Sequence, residues 1–231
     1  MHYCYVKKES QTREHAVNSK FLSIFLSLVG FILIGSAAGP IFFYQFFVSP
    51  KFSEMIKPIP QEQVLGEKNV EEVDFTKVSN WFPTAPKLPP LPSKITHYTL
   101  TIPKLKIAEA VVQIGGEDLK KSLIQYEGTA FPGQFGNTVV FGHSVLPQFY
   151  NPKNYLTIFS TLPTLKVKDE ILVDFDGVKY KYMIEQMTEV KKEDISVLEQ
   201  KYDDSYLTLI TCVPPGTYLR RLVVRTRLVK I

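Results

Sequence analysis

Between Phe21 and Val48 the chain carries no formal charge (FLSIFLSLVGFILIGSAAGPIFFYQFFV), and this run constrains the architecture more than any other feature. A helix needs about 20 apolar residues to cross a bilayer core, so the run is long enough to span with tilt. Two readings compete. Ser36-Ala37-Ala38 offers the small residues that precede a signal-peptide cleavage site. The apolar character nevertheless continues through Ile41, Phe42, Phe43, Tyr44, Phe46, Phe47 and Val48, a poor N-terminus for a secreted protein. An uncleaved anchor over residues 21–48 is therefore expected. Pro40 lies inside it, which membrane helices tolerate when the freed carbonyl finds another partner.

Charge sets the orientation. Lys7, Lys8, Arg13 and Lys20 precede the run, and only Lys51 and Lys57 closely follow it. The positive-inside tendency then places residues 1–20 in the cytoplasm and everything after the anchor outside. On that topology Cys4 and Cys212 lie on opposite sides of the membrane and cannot pair within one chain. Cys212 is left either as inert filler or as a reactive thiol.

The 231 residues leave room for one folded domain plus attachments, at roughly 100–200 residues per domain. Residues 49–94 read as an extracytoplasmic stalk, held extended by Pro50, Pro58, Pro60, Pro83, Pro86, Pro89, Pro90 and Pro92. The acidic stretch Glu67 to Asp74 is expected to be solvated, whereas Trp81-Phe82 is expected to dock. Its favoured place is the base of the folded domain, and the alternative is a lid over a groove. After His97 there are 17 Lys and Arg against 15 Asp and Glu, with no basic stripe, so no nucleic-acid partner is expected.

Residues 95–231 change to short strands. Thr99–Ile102, Lys106–Ile114, Asn137–Phe141, Tyr206–Thr211 and Leu222–Leu228 are apolar or β-branched runs. Ile171, Val173 and Phe175 alternate with Leu172 and Asp174, and Asp176-Gly177 then signals a two-residue hairpin. Glu117–Gln125 reads as a short helix. So many strands with so little helix imply an all-β domain, a closed barrel or a sandwich.

Three residues could carry chemistry. Cys212 ends the strand Tyr206 to Thr211 and opens the loop Val213-Pro214-Pro215-Gly216-Thr217-Tyr218, fixed yet reachable; a lone Cys there also reads as a small buried hydrophobe. His143 stands at a second strand-to-loop junction, where a structural histidine is the plainer reading. On the last strand Leu222, Val224 and Leu228 share one face, so Arg221 points the other way with Val223 and Arg225.

Taken together these segments resemble the sortases. Thr208-Leu209-Ile210-Thr211-Cys212, with Arg221 nine positions on, looks like the family's cysteine signature, and Gly136-Asn137-Thr138-Val139-Val140-Phe141-Gly142-His143 is similar to its histidine strand. The resemblance covers about Tyr98 to Leu228 and fits the N-terminal anchor. It implies a closed eight-stranded sortase-like barrel with one or two short helices, and a cysteine transpeptidase acting on an LPXTG-like sorting signal. Cys212 would be the nucleophile, His143 the acid and base, and Arg221 the oxyanion or substrate-backbone donor. The acceptor would be a cell-wall or pilin amine, and no metal or cofactor is expected. Ser144 stands where many members have Arg. No second apolar span precedes Ile231, which points away from the pilin-polymerising subgroup, while a Trp81-Phe82 lid would point toward it. A non-catalytic peptide-binding module and a cysteine hydrolase using water are the alternatives.

Overall fold

From Phe21 onward α1 (Arg13–Phe43) is apolar on every side, so that stretch has no face to turn to water. Its large side chains from Phe21 to Phe43 stand mostly exposed. It is the one helix among the described residues long and apolar enough to cross a membrane. The computed structural model describes residues 13–54, 73–82, 84–85 and 88–229; Cys4, Lys7, Lys8, Lys57 and most of the acidic stretch Glu67 to Asp74 lie outside them. The chain divides into two compact units at Pro40.

The second unit holds the strands: β1 Ser53–Glu54, β2 His97–Ile102, β3 Ile107–Ile114, β4 Leu123–Gln125, β5 Gly136–Phe141, β6 Glu170–Phe175, β7 Val178–Lys191, β8 Ser205–Val213 and β9 Arg220–Leu228. They bond in the order β7-β6-β2-β3-β4-β5-β8-β9, and β9 returns to β7, closing an eight-stranded barrel. β1 adds in parallel to β7. Asp176 and Gly177, at φ of 54° and 73°, make the β6–β7 turn, the twist that a two-residue hairpin requires.

The helix expected at Glu117–Gln125 does not form. Asp118 accepts a hydrogen bond from the Lys120 amide at 3.0 Å and sets a turn, after which the chain enters β4. Leu119, Leu123 and Ile124 have helical spacing, but Leu123 faces one core and Ile124 the other. Pairing of Leu123 with Val112 and of Ile124 with Phe141 fixes that alternation.

Two cores flank the central strands. One gathers Leu100, Ile102, Val112, Leu123, Ile171, Tyr182, Leu207, Leu209, Leu222 and Val224. The other gathers Val78, Trp81, Phe82, Ile124, Phe141, Ile210, Cys212 and Val223. β8 is buried along its whole length because both faces are covered. Full burial of each such aliphatic side chain is worth about 1.5–3 kcal/mol. The uncharged run continues past α1: Tyr44, in a π-helical turn over Tyr44–Val48, is buried in the first core.

Candidate active site

Strand direction brings the three sequence candidates to one edge of the barrel. β5 and β8 run parallel, with Phe141 opposite Ile210, so both reach the same end together. The ladder continues into the loop, where the Gly142 amide donates to the Ile210 carbonyl at 3.1 Å and Thr211 Oγ1 donates to the Gly142 carbonyl at 2.8 Å. His143 follows on one strand and Cys212 on the other. β9 runs antiparallel from the same end and places Arg221 directly opposite Cys212. Gly142 is required at the crossing, because a Cβ there would lie 2.2 Å from the Phe159 ring.

Each side chain is held. His143 Nδ1 lies 2.8 Å from the Leu156 carbonyl; a carbonyl only accepts, so Nδ1 carries the proton and Nε2 is the unprotonated nitrogen. Nε2 is buried with no hydrogen-bond partner among the described residues. Ser144 Oγ donates to the Cys212 carbonyl at 2.8 Å, tying the two loop entrances together. Arg221 is fully buried, donating from Nη1 to the Tyr218 carbonyl at 3.1 Å and from Nη2 to the Trp81 carbonyl at 3.2 Å. Its guanidinium lies 5.3 Å from the Trp81 ring centre and 5.9 Å from that of Phe82.

Trp81-Phe82 therefore docks on the candidate site, and the expectation that it packs against the base of the domain is corrected. The cause is chemical: two aromatic faces suit a guanidinium as well as they suit an apolar base. Phe75 stacks on Tyr218 at 4.1 Å, and Tyr218 meets the His143 ring edge-on at 6.3 Å. Trp81 Nε1 donates to the Phe75 carbonyl at 2.7 Å, which closes the covering segment on itself. This part of the expected stalk is applied to the barrel.

Burial sets the resting protonation. The Cys212 thiol is pushed up to about 12 by desolvation, against a smaller opposing pull from Arg221. His143 is pushed below its ordinary value, again chiefly by desolvation, with its bond to Leu156 and the charge of Asp74 acting the other way. Both groups are thus neutral near pH 7, and Arg221 is the charge beside them.

The family model for the sortase domain matches residues 100–229, more than half of the chain. The chain belongs to the sortase family. A search of curated proteins returns no match. Among solved structures, this sortase is similar to sortase C-1 of Actinomyces oris, at 26% identity and a TM-score of 0.53 over 60% of this chain and 77% of that one. A sortase A lid mutant of Corynebacterium diphtheriae matches at 27% and 0.51, covering 61% and 73%. The Clostridium perfringens sortase D5 transpeptidase matches at 25% and 0.50, covering 58% and 79%. The fold is that of sortases, a family of cysteine transpeptidases.

Sequence reasoning missed several site groups of this sortase. Leu156 and Trp81 act through backbone carbonyls, which carry no sequence signature. Tyr218 and Phe75 meet only after folding. Uncovering the site has a measurable consequence. At pH 8 a thiol near 12 is thiolate in roughly one molecule in ten thousand, against roughly a quarter for one near 8.5. Trp81→Ala is expected to raise the alkylation rate of Cys212 by iodoacetamide at pH 8 by about tenfold or more. The pH at which that rate levels off should fall toward the ordinary thiol range.

Proposed function

We propose that this sortase is a membrane-anchored transpeptidase that cleaves an LPXTG-like sorting signal through a thioester on Cys212 and passes the acyl group to an envelope amine. The observation that carries the reading is the convergence of Cys212, His143 and Arg221 at the shared end of β5, β8 and β9. Entry of the signal displaces the segment around Trp81-Phe82, which returns water, and then substrate, to the thiol. Once uncovered, the Cys212 thiol gives its proton to His143 Nε2, leaving a thiolate beside Arg221 and a doubly protonated imidazole.

The thiolate attacks the Thr carbonyl of the signal. Arg221, released from the Trp81 carbonyl, donates to the oxygen that becomes the oxyanion, as its fork previously donated to backbone carbonyls. As the C–N bond breaks, His143 protonates the departing amine, leaving the acyl group on Cys212. An incoming primary amine attacks the thioester and gives its proton to His143, and the new amide leaves with Cys212 regenerated. Water attacking in place of the amine would make the same enzyme a hydrolase. The anchor reading rests on α1 and on the flanking positive charges. It places residues 1–20 in the cytoplasm and the barrel outside, so protease added to intact cells should digest the barrel. A barrel protected until lysis contradicts that topology.

Product analysis tests the reaction type. The full chain in detergent is incubated with an LPXTG-type peptide and an excess of oligoglycine or lysine-containing peptide. The expected result is an amide-linked product that outgrows the hydrolysed peptide as amine is added. Hydrolysed peptide alone at every amine concentration would favour the hydrolase.

A further inference from the structure

Inside the mouth of the barrel, on the opposite face from Cys212, lies a carboxylate that none of this chemistry uses. Glu189 sits on β7, only 3% exposed. A buried carboxylate is costly unless its lone pairs are satisfied, so its partners show what the site is built to hold. Oε1 accepts from the Tyr44 hydroxyl at 2.5 Å, Oε2 accepts from Ser49 Oγ at 3.0 Å, and Oε2 lies 3.6 Å from Arg220 Nε. Two of these three partners come from the segment that follows the apolar helix. Backbone pairing repeats the contact, with Ser53 opposite Thr188 and Glu54 opposite Glu189. Tyr44 is buried in the first core, and Val48 and Phe52 pack against it.

The β7–β9 register carries this contact to the candidate active site. Glu189 pairs with Leu222, Val190 with Arg221 and Lys191 with Arg220. Glu189 therefore holds Arg220 from the first-core side, while Arg221, its neighbour in sequence, faces the second core beside Cys212. Arg220 thus links a carboxylate held by Tyr44 and Ser49 to the start of β9, one residue before Arg221.

We propose that Tyr44–Glu54 is a working part of the catalytic barrel, and that Glu189, loaded by Tyr44 and Ser49, is the residue that positions Arg221 through Arg220. Glu189 touches no substrate; it is a positioning residue. The inference rests on the reading of Arg221 as a site residue, and its test has an arm that does not need turnover.

The test compares the full chain in detergent micelles with Tyr44→Phe, Glu189→Gln and the double variant. Tyr44→Phe keeps the ring in the core, and Glu189→Gln keeps the shape of the side chain, so all three should fold. Hydrogen exchange is followed at the Arg220, Arg221 and Leu222 amides, and kcat and KM are measured for peptide transfer. Each single variant is expected to speed exchange at these amides by about tenfold or more, the scale of losing a hydrogen bond to a charged group. kcat should fall by a similar factor with KM within about twofold, and the double variant should be little worse than Glu189→Gln alone. Unchanged exchange, additive effects, or faster exchange with kcat intact would each overturn the proposal. An unaltered chain without transfer activity counts against the transpeptidase reading, and the exchange arm then decides the coupling by itself.

Discussion

Cys212→Ala is expected to abolish cleavage of a sorting peptide while leaving the barrel folded. Among the described residues it is the one cysteine, so no other thiol there can take over. The side chain is buried in the second core beside Ile210 and Val223, yet it is small, and Ala keeps its Cβ. Losing one sulfur from a core costs about 1 kcal/mol, too little to unfold a closed barrel. Circular dichroism should therefore match that of the unaltered protein. Residual cleavage above the rate without enzyme would remove Cys212 from the mechanism. Lost activity together with a lost fold would return it to the role of a core residue.

Arg221→Lys carries the second large effect. Lysine keeps the charge but not the planar fork that bonds two carbonyls, from Tyr218 and Trp81, at once. Loss of an oxyanion donor costs about 10²–10³ in kcat, and that fall is expected here. Arg220→Lys should do less to chemistry directly, because Arg220 faces Glu189 on the other side of β9. Equal losses from the two would contradict the assignment of the direct contact to Arg221 alone.

Much of this site was legible before folding, because parity along a strand is a property of the sequence. Placing Arg221 opposite the apolar stripe of Leu222 and Val224 requires only the two-residue period, and the register with Cys212 agrees with it. The Asp176-Gly177 turn was legible for a similar reason, since few residue pairs accept two positive φ values. Apolar spacing alone misled at Leu119, Leu123 and Ile124, where burial on both faces of β4 imitates a helix. Tyr44 shows a related limit, because lipid and a barrel core select the same residue types, and its burial and its bond to Glu189 are visible only in the fold. The Trp81 cover could not be placed from sequence, since a Pro-rich approach and two aromatics are compatible with either end of the barrel. Backbone carbonyls at Leu156 and Trp81 leave no trace in the residue types at all.

The central claim is covalent, and intact-mass spectrometry of the full chain tests it most directly. The protein is mixed with an LPXTG-type peptide without an amine, quenched in acid, and weighed. The account predicts a mass gain equal to the peptide's N-terminal fragment through the Thr carbonyl, less one water. Hydroxylamine should remove the adduct, and Cys212→Ala should not form it. Cleavage of the peptide with no adduct at any time point, or an adduct that persists in Cys212→Ala, would contradict the claim that this chain works through a thioester on Cys212.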